Sequence, residues 1–154
     1  MVFLYLWKKM PDRILNKVNS ITNSDLYTWC DEYININEKK ILDLVRNRML
    51  KGKDTDGNPI GFYRQLSYKM FKEKLNPMAK GNVDLFLTGD LQRNLTFGKM
   101  GKDYQIYSTD WKYHDLFYKY GGATAFGLTE DQHKEILSEM TIYVIEKIFE
   151  KILK

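Results

Sequence analysis

Along most of this chain the apolar residues recur every three or four positions, the spacing of one helical face, and only one segment alternates as a hairpin does. Pro11 interrupts whatever precedes it, and Ile14 to Asn19 reads as a short helical turn. Asn23 or Ser24 is placed to cap a helix whose Leu26, Trp29, Cys30 and Tyr33 share a face. The run Ile34-Asn35-Ile36-Asn37 favours strand or kink, and Asn35 with Glu38 has the form of a capping box that starts a second helix. In that helix Ile41, Leu44, Val45 and Met49 make the apolar stripe, opposite Lys39, Lys40, Asp43 and Arg46, until Gly52 ends it.

Lys53 to Gly61 is a loop by local rules, because Asp56-Gly57 and Asn58-Pro59 both favour turns. Tyr63 to Leu75 then predicts a helix with Leu66, Met70, Phe71 and Leu75 turned to the core, stopped by Asn76-Pro77. Val83 to Leu87 suits a short strand or an extended lead into Thr88-Gly89-Asp90, which opens a short helix carrying Leu91 and Leu95. Leu95 to Lys99 and Tyr104 to Ser108 flank Met100-Gly101-Lys102 as a β-hairpin. Asp110 caps a helix that buries Tyr113, Leu116, Phe117 and Tyr120, and Gly121-Gly122 ends it in a left-handed turn. In the last helix Thr129 and Gln132 form a capping box, and Ile136, Met140, Tyr143, Val144 and Ile148 form the stripe. The order predicts an α+β fold: long helices packed on a small antiparallel sheet, with the hairpin at about 95–108 and a long C-terminal helix.

Composition adds a size limit and little chemistry. A chain of 154 residues with 44% hydrophobic content supports one core, so 13–154 reads as a single α+β domain behind an apolar N-terminal arm at 1–12. That arm, Met1 to Trp7, is too short to cross a bilayer, which takes about 20 residues, and it lacks the features of a signal peptide. It reads as a first strand, a tail tucked into the core, or an arm that docks on a neighbouring subunit. Cys30, the single cysteine, cannot form an internal disulfide, which fits synthesis in a reducing cytoplasm.

Each candidate for catalysis lacks a partner in sequence. His114 adjoins Asp115, but neighbouring helical residues do not face each other, and His133 falls in the first turn of the last helix. Cys30 lies on an apolar face. Asp54, Asp56 and Asn58 hint at a calcium loop, but Pro59 stands where glycine is needed and Gln65 where a bidentate glutamate is needed. Asp84, Asp90 and Asp103 share no predicted face, and no glycine run has the form of a phosphate loop. The expectation is therefore a non-enzyme with no cofactor or metal. Net charge is +4, with 24 basic residues interleaved among 20 acidic ones. That mixing favours a protein interface over nucleic acid for the aromatic clusters Trp111-Lys112-Tyr113 and Phe117 to Tyr120.

One resemblance rests on the order of short motifs between Gly57 and Gln132: Gly61-Phe62-Tyr63, a Lys-bearing helix at Tyr68 to Lys74, DLFLTGDLQRNL, a hairpin, YHDLFYKYG and AFGLTEDQ. This series resembles the tail-completion and head-to-tail connector proteins of tailed bacteriophages, in wording closest to versions from phages of Bacteroides-type hosts, including the crAss-like group. The resemblance implies a structural virion protein that forms a homo-oligomeric ring in the neck, between portal and tail. Its partners would be the portal or adjacent connector and tail proteins, with DNA passing through the lumen without specific binding and no membrane involved. The assembly contacts expected are Val2, Phe3, Leu4, Tyr5 and Trp7 of the arm, Asp54, Asp56 and Asn58 of the loop, and Lys99, Met100 and Lys102 of the hairpin tip. The rival readings are a DNA-binding accessory protein of a phage and a small hydrolase.

Overall fold

The computed structural model describes residues 12–101 and 103–154. The predicted arm, with Val2, Phe3, Leu4, Tyr5 and Trp7, lies outside them except for Asp12, and so does Lys102. Among the described residues the fold is α+β. Its elements are α1 (Asp12–Asn19), α2 (Asn23–Leu50), α3 (Leu66–Leu75), a 3-10 turn (Pro77–Ala79), α4 (Asp90–Arg93), β1 (Leu95–Met100), β2 (Asp103–Ser108), α5 (Tyr113–Lys119), α6 (Ala123–Phe126) and α7 (Glu130–Leu153). They divide into two compact units, one of residues up to Ile36 together with Glu135–Lys154, the other Asn37–Lys134.

Helix α2 corrects two sequence expectations. Its capping box is Thr22 and Asp25 rather than Asn23 or Ser24: Thr22 N donates to Asp25 Oδ2 at 2.8 Å, and Asp25 N donates to Thr22 Oγ1 at 3.2 Å. No second helix starts at Asn35, because α2 runs unbroken for 28 residues. Asparagine and isoleucine are poorer helix formers than alanine by only about 0.5 kcal/mol each. Breaking the helix there would instead free several backbone groups. Termination falls to Gly52, whose φ of +66° a side chain would resist.

In the helical unit, buried hydrophobics among the described residues number two, Tyr33 and Ile136. Polar groups join its helices instead. Tyr33 Oη donates to Glu139 Oε2 at 2.7 Å, Tyr143 Oη to Glu32 Oε2 at 3.2 Å, and Lys151 Nζ lies 2.8 Å from Asp25 Oδ1. Burial, reinforced by the Glu139 hydrogen bond, pushes the Tyr33 phenol up to about 12. The predicted α7 stripe lies on this inner side, with Ile136 buried and Met140, Tyr143, Val144 and Ile148 half-buried. Thr129 and Gln132 form the expected reciprocal cap at 3.0 and 3.2 Å.

The second unit holds the closed core. Leu42, Val45 and Met49 of α2 meet Leu91, Leu95, Ala125 and Phe126, with Phe97, Ile106, Tyr113, Leu116 and Phe117 packed around them. The hairpin pairs Leu95 with Ser108 through Met100 with Asp103, and Gly101 turns it at φ +66°. No strand forms at 83–87; Val83 N donates to Gly61 O at 2.9 Å, and Leu85 takes a left-handed φ of +53°. Gln92 Nε2 holds that strained turn by donating to Leu85 O at 2.7 Å.

Arg48 is buried on the core face of α2, and its hydrogen bonds among the described residues go to backbone carbonyls. Its guanidinium donates to the carbonyls of Lys53 at 2.8 Å, Ala125 at 3.1 Å and Gly127 at 2.5 Å. One planar fork thus gathers the chain after α2 and the C-terminal part of α6. The apolar periodicity predicted neither Arg48 nor the four-residue α6, which is too short to show a period.

Candidate functional site: the outward face of helix α3

Helix α3 begins at Leu66, three residues after the predicted start, and its orientation reverses the expectation. Leu66, Met70, Phe71 and Leu75 do not face the core; they are 70%, 53%, 50% and 41% exposed. The buried side chain of this helix is Lys72, at 3%. Its partner is Asp84, fully buried, whose Oδ1 lies 2.8 Å from Lys72 Nζ. Asp84 also accepts from Tyr63 Oη at 2.9 Å, Asn76 Nδ2 at 2.8 Å and Phe86 N at 3.1 Å.

Asn76 stands one helical turn after Lys72, so both reach the same carboxylate from the same side. The Asn76 amide also donates to Leu50 O at 2.7 Å, tying α3 to the end of α2. A buried ion pair resists rearrangement because stripping away either partner strands a charge, at about 3–5 kcal/mol. Here both partners are also hydrogen-bonded or flanked by rings: Lys72 Nζ sits 5.8 Å from the Tyr63 ring centroid and 5.9 Å from that of Phe86. Burial first, and then the Asp84 charge, push the Tyr63 phenol far above its usual value, so it keeps its proton and donates. With Lys72 held inward by this network, the apolar side chains on the other side of α3 turn to solvent.

The exposed set extends past both ends of the helix to Phe62 and Met78, at 73% and 55%. Together these six side chains present on the order of 600 Å2 of apolar surface, the upper end of the largest patch on a typical soluble monomer. Arg64, Lys74 and Lys80 are exposed around it and give it a basic border. Glu73, the acidic residue of the helix, turns toward Lys69 at 3.9 Å.

Beside this face lies a cleft of about 260 Å3, lined by Tyr63, Tyr68, Lys72, Phe86, Asp90 and Lys112 among others. Its polar groups are engaged with the chain itself. Lys72 and Tyr63 serve Asp84, Asp90 accepts from Thr88 and Arg93, and Asp110 Oδ1 accepts from Lys112 N at 2.9 Å. The Thr88 hydrogen bond, followed by that of Arg93, holds the Asp90 carboxyl below its ordinary range.

The other residues singled out by sequence are scattered. Asp54 Oδ1 accepts from Asp56 N at 3.0 Å and Asn58 N at 2.8 Å, so that carboxylate shapes its own turn, with Asp56 and Asn58 exposed. Lys99 is exposed at the hairpin, its Nζ 5.5 Å from the Tyr104 ring centroid, and Met100 is the last residue of β1. His114 and Asp115 are both exposed, and the His114 ring lies edge-on to Tyr118 at 4.8 Å; His133 is exposed on α7. Cys30 is half-buried, and burial, with Asp31 nearby, pushes its thiol up. Of the three aspartates weighed, Asp84 is the buried hub, while Asp90 opens α4 and Asp103 opens β2. Among the described residues no three His, Cys, Asp or Glu side chains gather as a metal site. The aromatic clusters divide: Tyr113 and Phe117 pack on Phe126 at 5.0 and 5.9 Å, while Trp111 and Tyr118 are 80% and 73% exposed.

Sequence reasoning missed Lys72 and Asp84 as partners. The available signal was Asp84 itself, a lone carboxylate in the apolar run Val83 to Leu87, where burial demands a cation. Among the described residues no helix is long and apolar enough to cross a membrane. No protein-family model, curated protein or solved structure matches the chain.

Proposed function

We propose that this chain is a structural virion protein of a tailed bacteriophage, one subunit of a homo-oligomeric ring in the neck that joins portal to tail. The observation that carries the assembly part of this reading is the reversed helix α3, which buries Lys72 and offers Leu66, Met70, Phe71 and Leu75 to solvent. Burying one such side chain stabilises by about 1.5–3 kcal/mol, a gain that a partner seated on this face would supply. The neck location comes from the motif order between Gly57 and Gln132. The partners are further copies of the chain and the portal, connector or tail proteins above and below, with DNA passing through the lumen without being gripped.

The test is the mass of the purified chain by light scattering, together with electron microscopy of the species found. A closed ring, or a multimer that adds to tailless heads, is the expected result. A stable monomer that binds generic DNA at moderate salt would overturn the reading in favour of a nucleic-acid protein.

A further inference from the structure

Helix α7 is apolar on two faces, and its own unit covers one of them. On the outer side Leu137, Thr141, Ile145, Phe149 and Leu153 follow at four-residue intervals, with Ile142 in the adjoining row. Leu137, Ile142, Ile145, Phe149 and Leu153 are 43% to 78% exposed. A helix apolar all round is ordinarily enclosed by other elements. Here the outer ridge stays exposed among the described residues.

The border of this ridge carries a sign. Glu146 and Glu150 stand exposed in the row beside it, whose two cations lie at its ends, Lys154 at the last residue and Lys134 in the first turns, where it pairs with Glu130 at 2.6 Å. The nearby lysines face inward: Lys147 lies 3.5 Å from Glu32 and Lys151 2.8 Å from Asp25. The α3 face has the opposite border, with Arg64, Lys74 and Lys80 exposed around its apolar residues.

We infer that the outer α7 ridge of one copy docks on the α3 face of the next copy. This rests on the assembly reading above and names its contact. A row of side chains four residues apart is a ridge that can enter the groove between the corresponding rows of another helix. The exposed apolar side chains amount to roughly 500–600 Å2 on each face, and a polar rim brings this near the ~800 Å2 per partner of a stable interface. Glu146 and Glu150 meet Lys74 and Lys80 at that rim, which selects this pairing over ridge with ridge or face with face. The two surfaces differ, so the contact is heterologous and each copy keeps one free face for the next.

Charge reversal tests it. Glu146→Lys with Glu150→Lys, or Lys74→Glu with Lys80→Glu, should each raise the concentration needed for assembly at least ~10-fold. The chain carrying all four changes should assemble as the parent does. All four positions are exposed, and thermal melting of each variant confirms the fold. Should a reversal shift the melt, the neutral changes Phe149→Ser and Met70→Ser replace it, and each should also dissociate the multimer. A parent that is monomeric at every concentration removes the assembly reading and this contact together. A parent multimer indifferent to either reversal leaves the assembly reading standing and overturns the contact. A four-change chain that folds but stays dissociated overturns it too, as does a multimer lost on changing α7 and retained on changing α3, which marks α7 pairing with α7.

Discussion

Helices α2 and α3 both bury a cation, and they do so by opposite means. On α2, Arg48 shares the inward face with Val45 and Met49, and its two terminal guanidinium nitrogens donate to backbone carbonyls while its buried Nε has no partner among the described residues, so apolar packing and polar anchoring work together. On α3, Lys72 is the sole buried residue of the helix, and packing gives way to one ion pair. The difference shows what decides which way a helix faces. A long helix with many apolar positions keeps its apolar face inward around one embedded charge, whereas in the ten-residue α3 the buried side chain is Lys72, paired with Asp84, and four apolar side chains face solvent.

The largest effect expected to probe this contrast is Lys72→Ala, which strands the Asp84 carboxylate in the core and should destabilise by about 3–5 kcal/mol. The shift of the guanidinium midpoint measures it. A loss below about 1 kcal/mol would mean that α3 is held by something other than the pair, and the contrast would fail. Arg48→Met comes next: its carbonyl partners lose a donor, and a loss of about 1–3 kcal/mol is expected in the same titration.

A smaller effect belongs to the helical unit. The hydrogen bond from Lys151, then those from Thr22, lower the Asp25 carboxyl from 3.8 to about 2. A lowered carboxyl pKa stabilises the fold above the unfolded value, so this contribution is complete above about pH 4 and fades as the pH falls through about 2. Melting temperatures at pH 5, 3 and 2 follow it, and Lys151→Met should flatten the profile in that window. The smallest stability effect is expected from Leu66→Ser or Met70→Ser, within about 0.5 kcal/mol of the parent. An equally small effect on Met49→Ser would erase the distinction between the two helices, and a loss of several kcal/mol at Leu66 would return α3 to the core.

The legible parts of the fold were those decided by neighbours in sequence. Thr129 and Gln132 cap α7 because both halves of the motif lie within four residues, and Gly101 turns the hairpin because that position needs a positive φ. The continuity of α2 through Ile34 to Asn37 was hidden because local preferences of a few tenths of a kcal/mol were weighed without the backbone bonds that a break would forfeit. The orientation of α3 was hidden for a different reason. Amphipathic spacing names two faces, and Asp84, in a separate segment, decides which of them turns inward. Sequence rules therefore point to the N-terminal arm, the loop at Asp54 to Asn58 and the hairpin tip as contact surfaces, while an exposed apolar face lies on a helix whose spacing reads as core.

The Lys72–Asp84 pair has one further consequence, for how such a surface changes over generations. Because the anchoring of α3 uses its inward residues, the outward positions at Leu66, Met70, Phe71 and Leu75 are released from the task of folding the subunit. A lineage can rewrite them one at a time while keeping the scaffold intact through every intermediate.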